Sequence, residues 1–170
     1  MIAAALTRSP DPNDPVRALA ADPTFAGHRT ARRAVELLIE QDPRYRCPTR
    51  AERSALLVGF AKLGQTLNGA AFDAVRLDRA VDLLDPDAIA ASVDAITICE
   101  IKSTNQKKIG LDLKGYFFNV TAAEQLTAQS LGRRYRFVFV NTITGEHQEL
   151  SFAEIMGRAR GMYPAWHIRF

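Results

Sequence analysis

The chain has few cysteines and histidines, and none of them forms a recognisable ligand or catalytic motif. Cys47 and Cys99 belong to no CxxC pair and to no Cys/His cluster with zinc-ligand spacing, which argues against a zinc site and against a disulfide framework. His28, His147 and His167 have no Ser, Cys or Asp partner at a spacing that suggests a catalytic triad. This sparse use of cysteine predicts a reducing, cytoplasmic location.

Long apolar runs and glycine-rich phosphate loops are also missing. No stretch reaches the roughly 18 consecutive apolar residues of a membrane span, and residues 1–8 are too short and too weakly apolar for a signal peptide. The glycines form no GxGxxG motif and no Walker loop, which argues against a dinucleotide enzyme or an NTPase. We therefore expect a soluble protein without a membrane partner.

The composition that remains fits one globular domain over residues 1–170. The chain is 47% hydrophobic, enough to bury a core without disulfides or structural metals. Lys and Arg outnumber Asp and Glu by 22 to 19, and the pI is about 9.1. Such a mild positive balance suits a polyanionic partner but does not identify one.

The first part of the chain predicts an extended arm followed by helices. Residues 8–15 contain three prolines in a polar run, which favours an arm that lies outside regular structure. Apolar residues at helical spacing then predict a helix that ends before Asp42 and Pro43. Thr49 and Glu52 form a capping-box signature that begins the next helix. The predicted helices cover residues 29–41, 49–69 and 70–84.

The second part predicts a mixed sheet. Residues 88–104 are rich in β-branched side chains, residues 135–141 are apolar on nearly every position, and a capped helix over residues 121–132 lies between them. A further strand over 115–120, a helix over 151–161 and an edge strand over 166–170 complete the prediction. The fold class is therefore α/β (α+β): a central mixed β-sheet flanked by helices, with an N-terminal helical region.

Glu100 and Lys102 are the residues whose chemistry most needs an explanation. They lie two positions apart in a predicted strand, so both side chains leave the same face, in a run that is otherwise apolar. Burying two charges costs several kcal/mol unless they pair with each other or with a metal ion. A carboxylate beside a lysine, with a second acid from a neighbouring strand, can hold Mg²⁺, activate water and offset charge on a phosphate.

With Glu100-Ile101-Lys102 placed in this order of elements, residues 70–141 resemble the PD-(D/E)XK nucleases. In that family an Asp on one strand of a hairpin and a Glu-x-Lys on the next form the metal site. The resemblance implies a restriction-endonuclease-like core, with residues 1–69 as an N-terminal region and 142–170 as a C-terminal hairpin, helix and strand. It makes Glu100 a metal ligand and Lys102 the catalytic lysine. It further implies Mg²⁺, with Mn²⁺ as a substitute.

Two aspartates compete for the first acid of the site. Twelve residues separate Asp87 from Glu100, and Pro86-Asp87 matches the first two letters of the family's motif. A hairpin between 88–91 and 95–102 places Asp87 within one residue of the needed register. Asp94 precedes Glu100 by only six residues, about 20 Å in an extended strand, although a bulge would shorten that distance. Both aspartates therefore remain candidates for the first acid, and the geometry of the predicted hairpin slightly favours Asp87.

Further candidates surround this motif. Glu52 is a possible accessory metal ligand from an early helix, although its capping role explains it equally well. The segment after Lys102 is basic and rich in amides, as expected for contacts to phosphates and bases. The predicted DNA-binding residues are Ser103, Asn105, Gln106, Lys107, Lys108 and Lys114.

The resemblance implies an endonuclease that hydrolyses DNA phosphodiester bonds, most like a small type II restriction endonuclease. Cutting both strands of a duplex takes two sites, so a homodimer is implied. Two alternatives share the same residues. One is a Holliday-junction resolvase or a repair or nicking nuclease; the other is a non-catalytic DNA-binding module of the same fold.

Overall fold

The computed structural model describes the backbone of residues 23–162 and the side chains of residues 30–162. This part of the chain forms an α+β fold with one five-stranded mixed sheet flanked by helices. None of its helices is both long enough and apolar enough to cross a membrane. The helices are α1 (Pro23–Gln41), α2 (Arg50–Lys62), α3 (Pro86–Ala91), α4 (Ala122–Leu131) and α5 (Phe152–Arg158). The strands are β1 (Tyr45–Arg46), β2 (Ala74–Leu77), β3 (Ile96–Thr104), β4 (Tyr135–Asn141) and β5 (His147–Leu150).

The strands follow one another in space in the same order as in the chain. β1, β2 and β3 pair antiparallel, β3 and β4 pair parallel, and β4 and β5 pair antiparallel. A parallel pair needs a crossover connection, and α4 provides it between β3 and β4. β3 is therefore the central strand, and residues on it have neighbours on both sides.

Two apolar clusters cover the two faces of this sheet. On one face Ile98 and Phe137 join the cluster that includes side chains of α2, α3 and α4. On the other face Cys99 and Val138 pack with Leu38 of α1. The alternation along β4 confirms the prediction of a strand buried on both faces, because its aromatic residues point to the first cluster and its valines to the second.

The structure confirms the starts of three helices that were predicted from capping-box signals, whereas α1 begins at Pro23 where residue 29 was predicted. Each of α2, α4 and α5 begins with a complete capping box, in which the cap hydroxyl accepts a backbone N–H and the glutamate side chain accepts the N–H of the cap. α1 ends at Gln41, as the following Asp42 and Pro43 indicated. The three capping pairs are Thr49 with Glu52, Thr121 with Glu124, and Ser151 with Glu154.

The predicted helix over residues 70–84 is wrong, because this segment contains β2. The Arg53 guanidinium donates to the carbonyls of Gly69 (3.0 Å) and Phe72 (2.7 Å) and lies 4.0 Å from the centre of the Phe72 ring. The Tyr135 hydroxyl donates to the carbonyl of Ala71. These contacts come from elements distant in sequence, and they hold residues 69–72 in position for the ladder with β3.

The predicted hairpin between residues 88–91 and 95–102 is also wrong. Asp85 caps α3, with Pro86 at its first helical position, so residues 86–91 are helical and β3 pairs with β2 instead. The predicted strand over 115–120 is wrong, because this segment is irregular and contacts the sheet through the rings of Tyr116 and Phe118, which pack on Phe139.

Smaller differences concern the ends of elements. The second helix ends at Lys62 where residue 69 was predicted, and the last ends at Arg158 where residue 161 was predicted. The two-residue strand β1 was not predicted at all. The proline-rich arm over residues 8–15 and the edge strand over 166–170 lie outside the described residues.

Gly59 and Gly157 offer a matched test of how closely α2 and α3 pack. A Cβ added at Gly59 would lie 2.5 Å from Ile89 Cγ2 and 3.1 Å from the Pro86 carbonyl oxygen, whereas one at Gly157 of α5 would meet nothing within 4 Å. We expect Gly59→Ala to lower the free energy of unfolding by about 1–3 kcal/mol. We expect Gly157→Ala to raise it by roughly 0.5–1 kcal/mol. Urea unfolding measures both, and a Gly59→Ala variant as stable as the wild type contradicts the packing.

Candidate functional site

Glu100 and Lys102 lie on the central strand and share one of its faces, as predicted. The residues between and beside them, Cys99 and Ile101, pack on the opposite face against α1. Glu100 is only 8% exposed, so its carboxylate is held in the interior of the fold. A buried carboxylate on a central strand needs a compensating partner, and Lys102 provides it.

Lys102 lies between two buried carboxylates. Its ammonium nitrogen is 2.9 Å from Glu100 Oε1 and 2.8 Å from Glu124 Oε2. Glu124 is 5% exposed and comes from the first turn of α4, where the same Oε2 accepts the backbone N–H of Thr121. The sequence had given Glu124 only its capping role. α4 is the next helix or strand after β3, reached through residues 105–121, and its first turn lies at the end of β3 that holds Lys102.

Asp73 is the acidic residue that the structure places beside Glu100. It precedes Ala74, whose partner across the ladder is Cys99, and its own N–H donates to the Cys99 carbonyl at 2.9 Å. Its Oδ2 accepts the N–H of Ile101 at 2.9 Å. Sequence reasoning missed Asp73 because the segment was read as helix. The signal available in the sequence was that Asp73 directly precedes a short run of β-branched and apolar residues, which is typical of a strand.

Neither aspartate predicted as the first acid lies at this site. Asp87 is exposed in the first turn of α3 and pairs with Lys62. Asp94 is exposed in the 3₁₀ turn before β3, and its two oxygens accept from Arg79 at 2.7 and 2.9 Å, which lowers the pKa of Asp94. The register that favoured Asp87 depended on a hairpin that does not form. Both residues have the contacts of solvated turn and helix-start positions.

The other predicted site residues are of two kinds: Glu52 has a structural role, whereas the residues after Lys102 are mostly exposed. Glu52 is buried in its capping box with Thr49 and also pairs with Arg46; the Thr49 backbone N–H, followed by Arg46, lowers the pKa of Glu52. These are the contacts of a helix cap. Ser103 is half-buried near the end of β3. The side chains of the following residues are exposed: Asn105, Gln106, Lys107, Lys108 and Lys114.

The site carries more negative charge than positive charge. Burial raises the pKa of the Glu100 carboxyl to about 8; Lys102 opposes this shift, and the Asp73 and Glu124 carboxylates add to it. Burial alone would lower the pKa of Lys102, but the Glu100 and Glu124 carboxylates raise it, so the ammonium stays charged at neutral pH. Two carboxyl groups contact the ammonium group and a third, that of Asp73, lies beside Glu100. This excess of acidic groups would favour a further cation.

The donor set fits a hard divalent cation better than a soft one. Asp73 and Glu100 offer carboxylate oxygens from two adjacent strands, and Mg²⁺ is usually held by one or two carboxylates plus water and phosphate oxygens. Within residues 30–162, no group of three or more His, Cys, Asp and Glu side chains converges in the geometry of a preformed metal centre. The residues that could hold a cation here are Asp73 and Glu100.

Comparisons of this chain with family models, with curated proteins and with solved structures give no match.

Glu100→Gln should stabilise the protein in metal-free buffer, increasingly so at higher pH. The folded-state pKa of Glu100, about 8, lies above its ordinary value of 4.5, so folding favours the protonated form. Stability from that proton is fully present below about pH 4.5 and is lost as pH rises through about 8. A glutamine side chain does not ionise, so the variant does not lose stability in this way.

Urea unfolding in EDTA at about pH 5 and about pH 8 measures the difference between the two proteins. We expect the variant's advantage to be larger at the higher pH. Glu40→Gln, at an exposed position of α1, serves as the control and should show no such trend. An advantage that is the same at both pH values contradicts the assigned environment of Glu100.

Proposed function

We propose that the protein is a Mg²⁺-dependent endonuclease that hydrolyses DNA phosphodiester bonds on a restriction-endonuclease-like core. The observation that carries the proposal is the placement of Asp73, directly before β2, beside Glu100 on the antiparallel neighbour β3, with Lys102 on the same face as Glu100. This supports the pairing of an Asp with Glu-x-Lys on the next strand that the resemblance implied, although α3 separates β2 from β3 in the chain. It involves a different aspartate from the two that the sequence favoured.

Each residue of the site has a distinct part in the proposed hydrolysis. Asp73 and Glu100 would hold the divalent cation, which when bound would supply Lewis acidity and an activated water. Lys102 stays protonated, so it can donate hydrogen bonds to a phosphate oxygen and offset charge in the transition state. Glu124 also holds Lys102, so the position of the ammonium group does not depend on Glu100 alone.

Proposed contacts to the DNA backbone lie in the segment that follows β3. Lys107, Lys108 and Lys114 are exposed there and suit phosphate contacts, while Asn105 and Gln106 have amide groups that can read base edges. A type II restriction endonuclease is the leading form of the proposal, and cleavage of both strands then requires a homodimer. Light scattering in solution, with and without DNA, measures that assembly.

The metal site is tested by separate Asp→Asn substitutions at positions 73, 87 and 94. We expect Asp73→Asn to reduce cleavage of supercoiled plasmid in Mg²⁺ by at least about 100-fold, because a metal ligand is lost. Asp87→Asn and Asp94→Asn should cut like the wild type, since these side chains are exposed and pair with Lys62 and Arg79. EDTA should abolish cleavage and Mn²⁺ should restore it.

Several outcomes separate this proposal from its alternatives. Cleavage that survives EDTA or Lys102→Ala contradicts the metal-nuclease mechanism. DNA binding without cleavage in any of the proteins favours a non-catalytic module. Discrete fragments from a long DNA support a restriction endonuclease, whereas selective attack on four-way junctions or nicking alone supports a resolvase or repair nuclease.

Glu124 is tested against Glu154, which occupies the same position of the capping box in α5. Glutamine preserves a capping box, so both Glu→Gln variants should fold with similar stability. Only Glu124 also pairs with Lys102, and we expect Glu124→Gln to lower kcat by about 10- to 100-fold with little change in KM. Glu154→Gln should leave kcat unchanged. An equal loss of kcat in the two variants contradicts a role for Glu124 in positioning Lys102.

A further inference from the structure

The segment over residues 105–121 connects β3 to α4 without helix or strand, yet side chains of the sheet fix it in place. Asn141 of β4 donates from Nδ2 to the carbonyls of Gln106 (3.1 Å) and Ile109 (2.8 Å). Gln148 of β5 donates to the carbonyl of Leu111. Ile109 is only 2% exposed, so the segment also contributes to the core. The backbone of this surface segment is therefore held in place by defined contacts.

The aromatic part of this segment is anchored beside the candidate site. The rings of Tyr116 and Phe118 pack on Phe139 with centroids 5.9 and 4.9 Å away, and the Tyr116 hydroxyl donates to the carbonyl of Ser103, the residue after the catalytic lysine. Phe117 lies between these two anchors and is 75% exposed. No other large apolar side chain in residues 30–162 is as exposed.

An aromatic ring held in water on a fixed backbone is a suitable stacking surface. The segment gives up little conformational freedom on binding because its contacts already exist, and this lowers the entropic cost of binding. Residues 105–121 contain three lysines and one aspartate, so the surroundings of the ring favour a polyanion over an apolar protein surface. A nucleobase offers a flat π-face next to such a backbone.

We propose that Phe117 stacks on a base of bound DNA, adjacent to the phosphodiester that lies at Asp73, Glu100 and Lys102. Lysines of the same segment, Lys107, Lys108 and Lys114, contact the neighbouring phosphates. In duplex DNA this stacking requires a base step to open, as aromatic and apolar wedges do in other DNA-binding proteins. The proposal rests on the proposed nuclease function and adds the contact that positions the DNA at its site.

Binding of 2-aminopurine-labelled duplex DNA tests the stacking without cleavage. The duplexes are of mixed sequence, carry the base at successive positions, and are titrated in Ca²⁺ in place of Mg²⁺. We expect the wild type to change the 2-aminopurine fluorescence at one or a few positions. Phe117→Ala should remove that change and weaken binding by about 10-fold.

Two further substitutions at Phe117 separate stacking from a general apolar contact. Phe117→Tyr keeps the ring and should keep both the fluorescence change and the affinity, while Phe117→Leu should behave like Phe117→Ala. Leu84→Ala is the matched control, because Leu84 is also exposed (61%) but precedes α3, at the opposite end of β3 from Lys102. It should bind like the wild type.

The outcomes distinguish this proposal from the nuclease itself. Equal affinity and fluorescence in the wild type and Phe117→Ala overturn the stacking and leave the nuclease intact, as does a Phe117→Leu variant that binds like the wild type. A Phe117-dependent signal without plasmid cleavage in Mg²⁺ or Mn²⁺ supports the stacking and contradicts the nuclease. A wild type that binds no DNA overturns both.

Discussion

The ion pairs of Lys102 with two buried carboxylates determine how the centre of this protein is arranged. An ammonium group on the central strand of a covered sheet is tolerated because the carboxyl groups of Glu100 and Glu124 accept its hydrogen bonds at 2.9 and 2.8 Å. Glu124 reaches Lys102 from the first turn of α4, so the pair also fixes where the crossover helix begins. Asp73 then adds a third carboxyl group next to Glu100.

This arrangement conflicts with the simplest way to stabilise a fold. A core that served packing alone would use apolar side chains at positions 100 and 102, as it does at the neighbouring Cys99 and Ile101. Burial, with smaller contributions from the Asp73 and Glu124 carboxylates, raises the pKa of Glu100 to about 8, so the folded protein holds this carboxyl group in an unfavourable environment for its charged form. The proposed cation site would give a reason for such an arrangement.

Local signals allowed much of this fold to be predicted from the sequence. A capping box needs only residues three apart, and alternation along β4 needs only its own side chains, so both could be read directly. Glu100 and Lys102 could be found because two charges stood out in an apolar strand.

The first acid could not be predicted in this way, because the conformation around it depends on tertiary contacts. β2 has four residues, and the segment before it is held by Arg53 of α2 and Tyr135 of β4, which are far away in the sequence. Helix propensity predicted a helix over residues 70–84, so Asp73 was overlooked and Asp87 and Asp94 were predicted as the first acid. The antiparallel pairing of β2 with β3 makes Asp73 the neighbour of Glu100.

The most direct test of this account is the position of a bound cation. Crystals soaked in Mn²⁺ and measured for anomalous scattering locate the ion without relying on activity. We expect an anomalous peak between the carboxylates of Asp73 and Glu100, within reach of Lys102, and no such peak in Asp73→Asn crystals. Saturating Mn²⁺ that leaves this position empty, or that binds instead at Asp87 or Asp94, contradicts it.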